Sequence, residues 1–311
     1  MTKIGIVGLG AVGTACAMAV TLRGVARDLV LVDRTRSRAK GVATDIRYGA
    51  ALFHAIDLRD GDYADLAGAA LVMVTVGVNE KSGGATDRGD PAGRLKLLDT
   101  NALVYREVIP RVVAAAPDAV ILVVSDPPDP LADLARQLAG HDRVLSTGTL
   151  LDSMRFRVHL AERFAVSPAT VEAQIVGEHG TSEVFLWSSA RIGGVPLIEA
   201  AGSLDIPFEP LRQEIEQAVR YANITIIEGI GASQYGIGMV SARIAQMVLG
   251  DERAVVPIGS FNPTYGVTLS VPSIVGLHGV VRALEPAGSA DEMRALQASA
   301  KTLRDAARRI L

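Results

Sequence analysis

The stretch Lys3-Ile4-Gly5-Ile6-Val7-Gly8-Leu9-Gly10-Ala11-Val12-Gly13 decides the fold. Apolar, β-branched residues run straight into three glycines, and a helical pattern then carries on through Ala11 to Arg23. A short continuous apolar run is the mark of a strand buried on both faces, as in a parallel sheet. Leu29 to Val32, Leu71 to Val76 and Ala119 to Val124 repeat the pattern at intervals filled by helical segments. Strands alternating with helices predict an α/β fold, a Rossmann-type doubly wound parallel sheet, with ligand at the carboxyl ends of its strands.

Those strand ends carry the first chemical signal. Gly8, Gly10 and Gly13 stand where a tight turn, close approach to a diphosphate and close helix–sheet packing each require a missing side chain. The helix opening there offers free N–H groups and a positive dipole end. A lone G-x-G-x-x-G is weak evidence. Here it follows a strand, precedes a helix, and is answered 20 residues after Gly13 by Asp33 at the end of the next strand. That context predicts a dinucleotide, and a carboxylate facing the adenosine ribose favours NAD over NADP. Arg34 leaves some tolerance of NADP.

After about residue 147 the pattern changes. Helices are expected near 150 to 165, 209 to 229, 236 to 248 and 290 to 310, with short strands around 171 to 177 and 254 to 272. We therefore read residues 1–147 as a nucleotide-binding domain and residues 148–311 as an α+β substrate domain. The segment from Asn79 to Gly93 is rich in Gly, Asp and Pro and reads as a long loop, a kind of segment that tends to be functional.

Composition excludes several classes. Among 311 residues the net charge is −3, and the 31 Lys and Arg form no basic block, which disfavours nucleic acid and anionic lipid as partners. No apolar run reaches the roughly 18 residues of a bilayer span, and the start lacks a signal-peptide pattern, so a cytoplasmic protein is expected. The one cysteine, Cys16, sits in an apolar helical stretch and reads as a core residue. No Cys/His spacing suggests a metal site. His54, His141, His159 and His278 lie in no motif.

Two segments carry the catalytic reading: Leu151-Asp152-Ser153-Met154-Arg155-Phe156-Arg157 and Gly177-Glu178-His179-Gly180, with Arg94 and Asn101 upstream. Together with the GASQYGIG segment at 231–238 they resemble the L-lactate and malate dehydrogenase family over nearly the whole chain. The resemblance implies an NAD-dependent L-2-hydroxy acid dehydrogenase, active as a homodimer or homotetramer. It makes His179 the acid/base, Asp152 its orienting partner, Arg155 the clamp for the substrate carboxylate and Arg94 the loop residue that polarises the carbonyl. Val12, Gly77, Asn101 and Ser125 join the glycines and Asp33 as the implied cofactor contacts. The chemistry is consistent with each role. A histidine can give a proton to a carbonyl oxygen and take it back, and a guanidinium fork grips a carboxylate through two parallel bonds.

The family pattern is broken at three places. Where the family has Asn-Pro-x-Asp, this chain has Asp126-Pro127-Pro128-Asp129. An ionised Asp126 repels an anionic substrate unless it is protonated or paired with Arg. Glu80 stands at the specificity position, where it cannot bind a second carboxylate, and the loop between it and Arg94 is longer than usual, so Lys81 or Arg88 are alternatives to Arg94. Ser233 stands where lactate dehydrogenases have threonine, leaving room for a larger side chain. The expectation is a broader 2-hydroxy acid as substrate, with malate dehydrogenase as the alternative. Glu172 replaces a phosphate-contacting histidine of allosteric relatives, so no activation by a sugar bisphosphate is expected. Two other classes compete: a non-catalytic NAD-binding sensor, and an NAD-dependent glycosidase, for which Cys16 lies too early in the chain.

Overall fold

The computed structural model describes residues 2–53, 55–83, 85–90 and 93–311, which leaves the His54 reading outside the described residues. The first strand, β1 (Lys3–Val7), lies in the middle of a parallel set with β2 (Asp28–Val32), β3 (Asp57–Asp60), β4 (Leu71–Val74), β5 (Val120–Val123) and β6 (Val144–Ser146). Their order is β6-β5-β4-β1-β2-β3, with Ile4 paired to both Leu29 and Leu71. The order reverses between β1 and β4, which opens a crevice at the carboxyl ends of those strands.

Alternation along each strand divides the core in two. Ile4, Ile6, Leu29, Leu31, Leu71, Met73, Val120 and Leu122 pack on one face. Val30, Val32, Val72, Val74, Ile121 and Val123 pack on the other. Because successive side chains point to opposite faces, a run apolar at every position must be covered twice. Helix α1 (Ala11–Arg23) and α2 (Arg36–Ala50) help cover the first face. On the second lie α3 (Leu98–Ala115) and α4 (Pro128–Ala139). Cys16 is fully buried in the first core, and burial pushes its thiol up to about 12. It is an inert packing residue, as expected.

The second half begins with α5 (Leu150–Phe164), followed by five two-residue strands: β7 (Val171–Glu172), β8 (Ile175–Val176), β9 (Val184–Phe185), β10 (Arg191–Ile192) and β11 (Val195–Pro196). Helices α6 (Leu197–Ser203) and α7 (Phe208–Arg220) close over Phe156, Phe185 and Trp187. The helix expected over 209–229 is two helices, α7 and α8 (Ala222–Ile230), because Tyr221 leaves helical geometry at φ −106° and ψ 8°. Next comes α9 (Tyr235–Leu249), and α10 (Ala290–Ala307) ends the fold.

The strands expected to be short around 254–272 are long instead. β12 (Ala254–Asn262), β13 (Val267–Gly276) and β14 (Gly279–Ala283) form an antiparallel meander joined to β6, so the sheet has nine strands in the order β14-β13-β12-β6-β5-β4-β1-β2-β3. The Gly259–Ser146 pairing makes that joint. It also anchors the start of α5, the helix that carries Asp152 and Arg155, against a rigid sheet.

Helix α9 crosses α1 where Gly238 meets Ala15, and a Cβ at 238 stands 2.8 Å from the Ala15 carbonyl carbon. A Gly238→Ala substitution therefore wedges the two helices apart. Urea unfolding is expected to show a loss of about 1–3 kcal/mol, as for other overpacked sites, and an unchanged midpoint contradicts this packing.

Candidate active site

The crevice at the strand ends opens to solvent and is lined from both halves of the chain. Gly10, Val12, Gly77, Glu80, Arg94, Ser125, Asp126, Arg155, His179 and Ser233, all singled out in the sequence, line it.

On the nucleotide side the fit to a diphosphate is steric and electrostatic. Gly8 has φ +96°, and a Cβ there stands 2.9 Å from the Val76 backbone nitrogen. At Gly13 it stands 1.9 Å from the Gly8 carbonyl oxygen, whereas at Gly10 it meets nothing within 4 Å. The first and third glycines thus permit close packing, and the second leaves open space before the amino end of α1, which has no side-chain cap. Asp33 accepts from the Leu9 N–H at 2.7 Å and the Thr35 N–H at 2.8 Å, which fixes its carboxylate beside the glycine turn. Thr75, missed in the sequence, donates to the Gly8 carbonyl at 2.5 Å. These residues fit a dinucleotide.

Behind the crevice and along its wall, sequence-selected residues tie its loops together. Asn101 is fully buried, accepts from the Val78 N–H at 2.7 Å and donates to the Asp126 carbonyl at 2.6 Å. Its amide therefore ties the loops after β4 and β5 together. Gly77, at φ +137°, makes room for it: a Cβ there stands 2.6 Å from the Asn101 Oδ1. The Ser125 hydroxyl donates to the Val76 carbonyl at 2.5 Å, joining the same two loops.

On the chemical side, α5 delivers Asp152 and Arg155 one turn apart, and the turn after β8 delivers His179. Asp152 Oδ2 is hydrogen-bonded to His179 Nδ1, and Asp152 Oδ1 accepts from Arg155 at 2.8 Å. Arg94, in the short 3-10 turn Gly93–Leu97, donates to His179 Nε2 at 2.6 Å. Asp152 thus meets one ring nitrogen and Arg94 the other, which fixes the plane and direction of the imidazole. Burial alone would raise the Asp152 pKa, but the neighbouring His179, Arg155 and Arg94 hold it well below the usual carboxylate range. Lys81 is exposed and Arg88 pairs with Glu228 at 2.7 and 2.9 Å, so of the three loop cations Arg94 is the one at His179.

Four further acids surround this group. Asp126 lies 3.7 Å from the Arg94 guanidinium and 3.9 Å from His179 Nε2, which supplies the Arg pairing its charge requires. Glu80 is pushed up to about 7 by burial and by Asp126, against the pull of Arg94. Asp129, not assigned a role in the sequence, accepts from the His179 N–H at 2.8 Å and from the Ser146 hydroxyl at 2.5 Å. Burial pushes it up to about 6. Glu183 is also buried and raised, first by burial and then by Asp152. Among the described residues no group of three or more His, Cys, Asp or Glu could hold a metal ion.

Residues 2–145 match the lactate/malate dehydrogenase NAD-binding domain, and residues 149–311 match that family's alpha/beta C-terminal domain. The chain belongs to the lactate/malate dehydrogenase family. It is 43% identical over 303 residues to an L-lactate dehydrogenase of Deinococcus radiodurans, with 97% of each chain covered. It is also 43% identical to an L-lactate dehydrogenase of Thermus aquaticus, with 98% of each covered. The minor L-lactate dehydrogenase of Enterococcus mundtii, solved with ligands bound, superposes at a TM-score of 0.92 with 35% identity, covering 100% of this chain and 98% of that one. Family membership makes the chain an NAD-dependent oxidoreductase acting on a CH–OH group.

The Asn101 tie yields a test of how the crevice is built. In Asn101→Ala the Val78 N–H and two carbonyls lose their partner, which costs about 1–3 kcal/mol for a buried group. Denaturant unfolding is expected to register that loss together with weaker NADH binding. Unaltered stability and affinity contradict the positioning role.

Proposed function

We propose that the chain reversibly transfers hydride between NADH and a 2-oxo acid, as an L-2-hydroxy acid dehydrogenase of the lactate dehydrogenase type. The observation that carries the reading is the His179 imidazole, held by Asp152 through Nδ1 while Nε2 meets Arg94 in the crevice. When bound, the nicotinamide supplies the hydride or accepts it. Arg155 grips the substrate carboxylate and fixes which face of the carbonyl is presented. His179 gives a proton from Nε2 to the developing alkoxide, and Asp152 stabilises the imidazolium that precedes that step. Arg94 stabilises the charge on the oxygen and excludes water. In the oxidative direction His179 Nε2 takes the hydroxyl proton, the state in which Nε2 is bare and accepts from Arg94.

Asp33 favours NAD over NADP, since a carboxylate repels a 2′-phosphate. Glu80 disfavours a second substrate carboxylate, and so malate. Glu172 is exposed on β7, consistent with an enzyme that no sugar bisphosphate activates.

Exposed apolar side chains on α1 and α9 (Met18, Leu22, Tyr235 and Met239) form one patch. A patch of this kind marks a protein interface, and we assign it to a second copy of the chain in a homodimer or homotetramer. We place the protein in the cytoplasm on its lone buried thiol. No described helix is long and apolar enough to cross a membrane.

His179→Asn is expected to bind NADH normally and to lose about 10²–10⁴-fold in kcat, the usual share of a general acid. NADH oxidation with a panel of 2-oxo acids checks both the class and the variant. Near wild-type turnover in His179→Asn overturns the assignment. Light scattering after gel filtration tests the assembly, and a monomer there removes the interface.

A further inference from the structure

Charge is unevenly distributed in the crevice. Three carboxylates, Asp152, Asp126 and Glu80, meet two guanidiniums, Arg94 and Arg155. Asp152 is paired with Arg155 and hydrogen-bonded to the His179 ring. Asp126 has Arg94 at 3.7 Å. Among the described residues Glu80 has no Lys, Arg or His nitrogen within ion-pairing distance. Burial raises its pKa most, the nearby Asp126 raises it further, and the more distant charge of Arg94 pulls it down.

A 2-oxo acid adds a further negative charge, and Arg155 is the group that receives it. Seating the substrate closes water out of the crevice, and a carboxylate left without a partner in such a place is costly. An aliphatic side chain next to Glu80 covers it and offers nothing in exchange. A second carboxylate adds repulsion from both Glu80 and Asp126. A cation at the end of the side chain neutralises Glu80 and makes a charge-assisted hydrogen bond with it. Ala232 and Ser233 line the same crevice with small side chains, leaving space for a long substituent.

We infer that the preferred substrate is a 2-oxo acid, or its 2-hydroxy counterpart, whose side chain ends in a cationic group bound by Glu80 with Asp126 behind it. The inference rests on the dehydrogenase reading above and narrows it to a class of side chain. Burial and the nearby Asp126 push Glu80 up to about 7, so a cation bound beside it favours its ionised form.

The test compares side chains of similar length and different charge. NADH oxidation by the wild-type chain is measured with 5-guanidino-2-oxopentanoate, with the neutral 2-oxooctanoate and with the anionic 2-oxoadipate, and calorimetry gives the affinity of the NADH-loaded protein for each. The guanidino acid is expected to exceed the neutral one by at least about tenfold in kcat/KM, the effect of one charge-assisted bond. In Glu80→Gln that ratio is expected to fall by about tenfold, with the neutral acid gaining. Equal or better use of the neutral or anionic acid by the wild type overturns the inference and leaves the dehydrogenase standing. Failure to turn over any 2-oxo acid, pyruvate included, removes both. A ratio that survives in Glu80→Gln overturns the role of Glu80.

Discussion

The buried carboxylate of Asp152 joins the parts of this site. It sits at the first turn of α5, almost wholly out of solvent, with one oxygen on the imidazole of His179 and the other on the guanidinium of Arg155. A buried charge persists only if it is paired and hydrogen-bonded, and both conditions are met here by the residues that the reaction uses. Orientation of the acid/base group and of the carboxylate clamp therefore follow from one desolvated anion. The same pairing contributes to the fold. With its pKa held below the ordinary value, Asp152 stabilises the native state above about pH 4, and that contribution is lost as pH falls through the depressed value.

Around that anion the sheet supplies rigidity and the loops supply chemistry. Strands β4 and β5 end in loops tied together by Asn101 and Ser125, so Glu80 and Asp126 enter the crevice from a common support. The turn after β8 is tied to α4 by the bond from the His179 N–H to Asp129. The long loop between β4 and α3 is pinned on α8 by Arg88 and Glu228, which brings Arg94 over the imidazole. Moving Arg94 off the imidazole breaks this exposed ion pair, of small net worth, and also its buried contacts with His179 and Asp126.

Much of this was legible in the sequence because its signals are local. The glycine turn, Asp33 and four apolar strands each declare themselves within a dozen residues. β3, polar at three of its four positions, and the three-residue β6 give no such signal. The break at Tyr221 was hidden by helical periodicity that continues across it. At the site, His179, Asp152, Arg155 and Arg94 stand out as motif residues, whereas Asp129 and the Arg88–Glu228 pair depend on contacts across 50 and 140 positions of the chain. Asn101 was visible as a motif residue, but its bonds to the two loops join positions 23 and 25 residues away.

The most direct measurement is single-turnover hydride transfer in Asp152→Asn, followed by NADH absorbance after mixing with a 2-oxo acid, alongside NADH affinity from its fluorescence. The account predicts an intact cofactor site and a transfer rate reduced by about 10²–10⁴-fold, because the imidazole loses the anion that orients it and stabilises its charged form. A transfer rate within about threefold of wild type, a difference of less than 1 kcal/mol, contradicts the central place given to Asp152.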